Sequence, residues 1–213
     1  MKLFDELRIA RFIAIARRVP ADRIVPCAAA IAEAGVSFLE ITFDPSDADT
    51  LRDTAAKVLA VRREFPRLHV GCGTVLTVDA ADAAADAGAE FLISPGTKPA
   101  IIDRAHHHGL PMIPGAYTPT EIAGAWDAGA DLVKIFPVAP GEESYVKNVM
   151  SPLSHIPFIV TGGVNPDTIR AMLATGAVAV AAGASVLRAD LIAAGNYAEI
   201  TDLARRHLEK IAG

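Results

Sequence analysis

A single lysine lies in the middle of an apolar run, DLVKIFPVAP, which spans residues 131–140. Lysine is seldom buried without a partner or a chemical purpose, because burial of an ammonium ion is costly. Side chains alternate between the two faces of a strand, so Lys134 faces inward if Val133 and Ile135 face surrounding helices. An amine attacks a carbonyl carbon only when it is neutral, and burial or a neighbouring cation lowers its pKa. The run therefore predicts an amine nucleophile at Lys134.

A carboxylate lies in a second strand-like run, FLEIT. By the same alternation, Glu40 and Thr42 face inward while Leu39 and Ile41 face outward. Two interpretations are open: the lysine and the glutamate fill the interior as a structural ion pair, or they act together in catalysis. A buried ion pair is a weak stabiliser, which favours catalysis. Arg17, after the first apolar run, could supply a second cation beside the amine or bind a substrate carboxylate.

Two glycine-containing segments late in the chain could bind an anion. They are Thr161-Gly162-Gly163 and Gly183-Ala184-Ser185, and each follows a short apolar run. Glycine lets backbone N–H groups approach an anion closely, and the loops after strands seven and eight form the usual phosphate site of α/β barrels. Glycine is common in turns, so the prediction of a phosphate site depends on this position in the fold.

The elements that must position these residues alternate along the whole chain. Eight short runs rich in Val, Ile and Phe read as buried parallel strands. Between and after them lie Ala-rich segments that predict helices, most of which end in glycine: 21–35, 46–65, 79–88, 99–109, 119–129, 142–153, 166–176 and 196–211. Eight such units predict a single (β/α)8 TIM barrel over residues 1–213, with a short extra helix before the first strand. The alternative is an open doubly wound sheet. The sequence has no GxGxxG motif at the first strand-to-helix turn, which such a sheet would be expected to carry.

The barrel prediction turns strand ends into candidate site residues, because active sites of such barrels gather at the C-terminal ends of the strands. The candidates are Arg17, Glu40, Thr42, Thr74, Ser94, Pro114, Lys134, Phe136, Thr161 and Ser185.

Composition excludes several classes of function. The 213 residues are just over half apolar and carry a formal net charge of −5, which is not the basic pattern of a nucleic-acid-binding protein. The two cysteines have no CxxC spacing, which predicts neither a disulfide scaffold nor a zinc site and favours a reducing cytoplasm. Apolar runs are too short for a membrane span, and the charged N-terminal residues do not resemble a signal peptide.

Other noticeable residues favour structural roles. The run His106-His107-His108 ends a predicted helix, and adjacent histidines fan around a helix and cannot easily share one metal. A packed thiol is expected at Cys72, and Trp126 is expected in the core or at a subunit contact. Asp44 follows the second strand and could touch substrate or cap the next helix.

At these residues the sequence resembles the 2-keto-3-deoxy-6-phosphogluconate (KDPG) and 4-hydroxy-2-oxoglutarate (KHG) aldolases, a family of class I Schiff-base enzymes. LVKIFP, LEITF and GCGTVL together carry the resemblance. The matching stretches run in order over nearly the whole chain: AIAR, FLEITFDPSDADT, VGCGTVLT, GAEFLISPG, PGAYTPTE, LVKIFP, TGGVNPD and the AGAS that ends strand eight.

The resemblance implies a trimeric (β/α)8 barrel without metal or organic cofactor. It implies that Lys134 forms the Schiff base and Glu40 moves protons. The substrate-binding candidates are Arg17, Thr42, Thr74, Pro95, Phe136 and Thr161, and the phosphate-binding candidates are Gly162, Gly163, Gly183, Ala184 and Ser185. The sequence departs from the family pattern at three positions: Asp44 stands where some members have an arginine, Ala184 where a further glycine is common, and Ala16 where leucine is usual.

The predicted reaction is cleavage of a 2-keto-3-deoxy-4-hydroxy acid, with KDPG as the first expectation and 4-hydroxy-2-oxoglutarate as a second substrate. A galactonate epimer is an open alternative, because it differs at one stereocentre. Two other hypotheses are a phosphate-binding barrel isomerase or metal-dependent lyase with Lys134 as an electrostatic clamp, and a barrel that has lost activity.

Overall fold

The computed structural model describes residues 2–212, and parallel strands form a nearly closed barrel. The strands are β1 (Phe12–Ala16), β2 (Phe38–Thr42), β3 (His69–Gly73), β4 (Leu92–Ile93), β5 (Met112–Ile113), β6 (Gly115–Ala116), β7 (Val133–Ile135), β8 (Phe158–Thr161) and β9 (Ala179–Ala182). Their order in the sheet is β5-β4-β3-β2-β1-β9-β8-β7-β6. The two ends of this order, β5 and β6, are consecutive pieces of one barrel strand on either side of Pro114. The predicted (β/α)8 barrel is confirmed.

Helices surround the barrel: α1 (Lys2–Ala10), α2 (Ala21–Ala34), α3 (Thr50–Glu64), α4 (Val78–Asp86), α5 (Pro99–His107), α6 (Pro119–Asp127), α7 (Glu143–Met150), α8 (Ile169–Leu173), α9 (Ala189–Ala194) and α10 (Tyr197–Ala212). The extra helix predicted before the first strand is α1. The helix predicted from Ser46 begins only at Thr50, and the one predicted from Pro166 begins at Ile169. In both places side chains of the preceding loop hold the chain in turns.

The core has two parts, as the alternation of side chains predicts. Residues on the outer face of the strands, among them Leu39, Val133 and Ile135, pack with the helices. Inner-face residues form a separate apolar cluster: Leu7, Ile13, Ile15, Phe38, Phe91, Ile93, Ile113, Leu132, Ile159, Ala179 and Ala181. Leu7 comes from α1, which contacts β9, so α1 contributes to the interior of the barrel. Glu40 and Lys134 are the charged residues buried with this apolar cluster, on β2 and β7.

Candidate active site

Lys134 is the central residue of β7, between Val133 and Ile135, and its side chain is 3% exposed. Its nitrogen lies 4.7 Å from the centre of the Phe136 ring. Burial lowers the pKa of Lys134; the negative charge of Glu40 opposes that shift, and the positive charge of Arg17 adds to it. A buried amine beside a second cation is suited to nucleophilic attack, because its neutral form is favoured.

Glu40 lies on the inner face of β2 and is fully buried. Neither of its carboxylate oxygens has a hydrogen-bond partner within residues 2–212. A β-carbon at Gly73, on the neighbouring strand β3, would collide with this carboxylate, so only glycine leaves room for it. A purely structural ion pair would instead be closely hydrogen-bonded, because a buried charge without partners is costly. The arrangement leaves Glu40 free to exchange protons with a ligand.

Arg17 and Thr161 line one cavity together with Phe136, the residue whose ring centre lies 4.7 Å from the Lys134 nitrogen. The cavity has a volume of about 500 Å³. Arg17 follows β1 on the inner face and is exposed at the mouth of the barrel. Thr161 ends β8; its hydroxyl is buried and has no partner among the described residues. A cation and an unpartnered hydroxyl therefore lie where a polar substrate would enter.

The predicted anion loops form another side of this cavity, which Gly162, Gly163, Gly183 and Ala184 line. In the part of the chain that the structure describes, the N–H groups of Gly163 and Ala184 form no hydrogen bond to protein. Gly162 has a φ of +113°, and a β-carbon there would lie 2.7 Å from backbone atoms of Val138. Only glycine suits this turn, and the free N–H donors of Gly163 and Ala184 belong to loops that line the cavity together with Arg17.

Ser185 is placed differently from its neighbours. Its hydroxyl donates to the carbonyl oxygen of Val164 at 2.8 Å and lies 3.0 Å from Nε2 of His207. His207 belongs to α10, is fully buried, and donates from Nδ1 to the carbonyl of Leu203. Burial lowers the pKa of His207. The hydroxyl of Ser185 thus supports its loop. If Ser185 binds phosphate as predicted, it does so through its backbone N–H.

The remaining predicted residues lie around the same end of the barrel. Thr42 ends β2 and is buried opposite Gly73, and Thr74 follows β3 with a left-handed φ of +58°. Pro95 is exposed and shares with Phe136 a second cavity of about 420 Å³. Ser94 and Pro114 hold the backbone: the Ser94 hydroxyl donates to the carbonyl of Gly96, and Pro114 separates β5 from β6.

The residues expected to be structural have protein partners. His106 pairs with Asp131 at 2.9 Å and His108 with Asp82 at 2.6 Å. Within residues 2–212, no three His, Cys, Asp or Glu side chains converge as metal ligands would. Cys72 is fully buried, and burial raises the pKa of its thiol. Trp126 is partly buried against the core.

The side chain of Asp44 does not cap α3, because Asp49 occupies the capping position. Its carboxylate accepts hydrogen bonds from Ser46 and from Arg18, and its backbone N–H donates to Thr50, the first residue of α3. Sequence reasoning missed three contributors to the site: Gly73, His207 and Arg18. For Gly73, the only available signal was the second glycine of GCGT. The roles of His207 and Arg18 depend on contacts between distant segments.

Known proteins resemble this chain over most of its length. The family model for KDPG and KHG aldolase matches residues 3–203. The 2-dehydro-3-deoxy-phosphogluconate aldolase of Treponema pallidum (strain Nichols) is 32% identical over 208 residues, which cover 97% of this chain and 96% of that protein. The KHG/KDPG aldolase of Escherichia coli (strain K12) is 35% identical over 190 residues, covering 88% and 86%. A solved structure described as native KDPGal superposes with a TM-score of 0.82 at 27% identity and covers 94% of both chains.

The fold and the buried amine define a class, the barrel lyases that work through a Schiff base. The chain belongs to the KDPG and KHG aldolase family.

Proposed function

We propose that the protein cleaves 2-dehydro-3-deoxy-6-phosphogluconate to pyruvate and glyceraldehyde 3-phosphate, and 4-hydroxy-2-oxoglutarate to pyruvate and glyoxylate as a second reaction. The observation that carries the proposal is the pair formed by Lys134 and Glu40. The amine is buried with a lowered pKa, and the carboxylate beside it has no hydrogen-bond partner among the described residues. The curated relatives support these two substrates by their names.

The reaction begins at the C2 ketone of the substrate. Neutral Lys134 attacks C2, and loss of water with uptake of one proton from solvent gives an iminium ion whose nitrogen can accept electrons. Glu40, directly or through water, removes the proton from the C4 hydroxyl. The C3–C4 bond then breaks, the aldehyde leaves, and the electron pair remains in an enamine of pyruvate. Glu40 returns its proton to C3, and water hydrolyses the iminium to release pyruvate and the free amine.

The other residues bind the substrate in this scheme. Arg17, Thr42, Thr74, Pro95, Phe136 and Thr161 surround the pyruvate part. The carboxylate of pyruvate suits Arg17, because a guanidinium offers two parallel N–H donors to it. The N–H groups of Gly162, Gly163, Gly183, Ala184 and Ser185 suit a phosphate group.

Trapping the iminium tests the central step. Borohydride added with pyruvate should attach the reduced pyruvyl group to Lys134, and peptide mass spectrometry should find it there. Exposed Lys147 is the internal control and should remain unlabelled. Retained cleavage by Lys134→Met, or activity abolished by a chelator, would contradict the scheme.

A kcat/KM panel then tests the substrate. It compares phosphorylated 2-keto-3-deoxygluconate with its galactonate epimer, its unphosphorylated form and 4-hydroxy-2-oxoglutarate, with pyruvate detected by a coupled assay. A preference for the phosphorylated substrate of less than about tenfold, or about 1.4 kcal/mol, would mean that the glycine loops do not bind phosphate productively.

The proposal also covers domain organisation, assembly and location: residues 1–213 form one catalytic domain, and the protein is a homotrimer in the cytoplasm. The trimer rests on the family resemblance, and light scattering of the purified protein tests it. Two buried, unpaired cysteines support a reducing compartment. No described helix is both long and apolar enough to cross a membrane.

A further inference from the structure

The chain makes an unusual turn directly after β1. Arg18 has a φ of +54°, in the left-handed region that residues with a β-carbon seldom adopt. Such a conformation persists where the surroundings hold it, and it occurs often at ligand sites. Here the turn separates Arg17, which continues the inner face of β1, from buried Val19. Arg18 is therefore placed at the rim of the barrel by its backbone.

Asp44, in the loop after the neighbouring strand β2, fixes the side chain of Arg18. Nε of Arg18 lies 3.0 Å from Oδ2 of Asp44, and its Nη2 lies 3.5 Å from Oδ1. Ser46 in turn donates to Oδ1 from its backbone N–H at 3.1 Å and from its hydroxyl at 2.6 Å. The hydrogen bonds from Ser46 lower the pKa of Asp44, and Arg18 adds to the shift.

The ion pair is too exposed to be a major source of stability. The side chains of Arg18 and Asp44 are 69% and 25% exposed, and exposed ion pairs contribute little to folding. The four hydrogen bonds of this network therefore hold the Arg18 side chain in place at the mouth of the cavity and add little to the stability of the fold.

Arg18 keeps a free face toward the cavity. It lines the cavity of about 500 Å³ together with Arg17, Thr161 and the glycine loops. Within residues 2–212, its Nη1 donates to no protein acceptor. A guanidinium with one edge held by a carboxylate and another edge free can donate to phosphate oxygens.

We propose that Arg18 is a specificity-determining residue that contacts the phosphate at the far end of the substrate, and that Asp44 is its positioning residue. The inference rests on the proposed aldolase function and names the residue that selects the phosphorylated substrate. The position of Arg18 on the rim favours contact with the phosphate of one substrate over contact with the far carboxylate of the other. In 4-hydroxy-2-oxoglutarate the far carboxylate is bonded directly to C4, next to the reacting centre. In the phosphogluconate substrate the phosphate is on C6, two carbons beyond C4, and Arg18 is the exposed cation that lines the cavity beside the glycine loops.

Steady-state kinetics of Arg18→Gln test this selection against both substrates. We expect KM for the phosphorylated substrate to rise about tenfold or more, the size expected for one lost charge-assisted contact, with kcat within about twofold. The kinetics with 4-hydroxy-2-oxoglutarate should stay within about twofold of wild type. Arg18→Lys should recover part of the affinity, because the charge remains while the fork of donors is lost.

Asp44→Asn tests the positioning role. It removes the charge that holds Arg18 and leaves the shape of the side chain, so KM for the phosphorylated substrate should rise about threefold to tenfold at unchanged kcat. In the double variant with Arg18→Gln, Asp44→Asn should add nothing further. The control is Arg104→Gln, which breaks a similar ion pair with Asp82 away from this cavity and should leave both substrates unaffected.

A binding measurement separates this inference from the proposed function. Titration calorimetry with glycerol 3-phosphate, and with glycerol as the uncharged control, needs no turnover. Wild type should bind only the phosphate ester, and Arg18→Gln should weaken that binding about tenfold. A wild-type protein that binds glycerol 3-phosphate through Arg18 but traps no pyruvate would refute the aldolase and keep the phosphate contact. An unchanged phosphate preference in Arg18→Gln, or tighter binding in Asp44→Asn, would overturn the inference.

Discussion

The charge on Lys134 is set by burial and by two neighbours of opposite sign. Burial lowers the pKa of the amine most, Glu40 raises it, and Arg17 lowers it further. Removing Arg17 removes one influence that disfavours the ammonium form, so Arg17→Gln should raise the pKa of Lys134. At a fixed pH below that pKa, less of the amine is then neutral and the Schiff base forms more slowly.

Rapid-quench trapping at saturating pyruvate measures this effect across pH. The pH of half-maximal rate should lie below the value of an ordinary lysine in wild type and move upward in Arg17→Gln. Saturating pyruvate separates the pKa effect from any loss of pyruvate binding. Arg52→Gln, which removes an exposed arginine paired with Asp49, is the control and should leave the profile unchanged. A profile that shifts downward in Arg17→Gln would mean that Arg17 does not act on the amine by charge.

The absence of a side chain at Gly73 gives Glu40 its position. In Gly73→Ala the new methyl group would collide with the carboxylate. We expect kcat to fall about 100-fold or more as Glu40 is displaced, and the free energy of unfolding to fall by about 1–3 kcal/mol. Steady-state assays and urea unfolding measure the two effects.

Gly124→Ala is the matched control for Gly73→Ala. Gly124 lies within α6, and apart from the adjacent residues and nearby backbone of that helix no atom lies within 4 Å of the position of an added β-carbon. It should keep its activity and gain about 0.5–1 kcal/mol, because alanine favours a helix over glycine. Equal losses in the two variants would show that Glu40 does not need the space at Gly73.

At the scale of elements, α6 begins with a capping box that orders the chain after the split barrel strand. The Thr118 hydroxyl accepts from the backbone N–H of Glu121, and the Glu121 carboxylate accepts from the N–H groups of Tyr117 and Thr118. Thr118→Ala should lower the free energy of unfolding by about 1 kcal/mol, as losses of such caps do. Urea unfolding checks this value.

The start of α3 provides the comparison for that cap. Asp49 occupies the same position before α3, but its side chain makes no capping hydrogen bond. Asp49→Ala should therefore cost less than about 0.5 kcal/mol. If Thr118→Ala proved as mild as Asp49→Ala, the capping box would not contribute to stability.

Elements were predictable where local chemistry alone decides them. The alternation in FLEIT and LVKIF was enough to place Glu40 and Lys134 on the inner face, and the structure agrees. The predicted start of α3 was wrong because the side chains of Asp44 and Asp47 hold residues 44–49 in turns. In the sequence, a run of polar residues is as compatible with a turn as with the first turn of a helix. The interruption of the fifth barrel strand at Pro114 was not predicted either, because it reflects pairing with β4 on one side and β7 on the other.

At the scale of the whole molecule, the strand ends predicted from sequence lie around one mouth of the barrel. The contacts that adjust the site could not be predicted, because they join residues far apart in the chain. Arg18 and Asp44 are 26 positions apart, and Ser185 and His207 are 22 apart. Asp44 and His207 each have several plausible partners in the sequence, and only the closed barrel selects one.

The barrel also carries an energetic cost for its chemistry. Lys134 and Glu40 occupy an interior that is otherwise apolar, and the Glu40 carboxylate has no hydrogen-bond partner among the described residues to offset its desolvation. Replacing a buried charged pair by apolar residues of similar volume is often stabilising. The double variant Lys134→Met with Glu40→Leu should therefore be inactive and more stable than wild type by about 1–4 kcal/mol in urea unfolding at neutral pH.

Two comparisons define what that double variant means. Lys134→Met alone leaves the buried carboxylate without its cation, so it should be less stable than the double variant. The exposed pair Arg205 and Glu33, replaced in the same way by Met and Leu, should change stability by no more than about 0.5 kcal/mol. If the active-site double variant instead unfolded more easily than wild type, the two charges would be a structural pair. The lack of hydrogen-bond partners at Glu40 could then not be explained by catalysis.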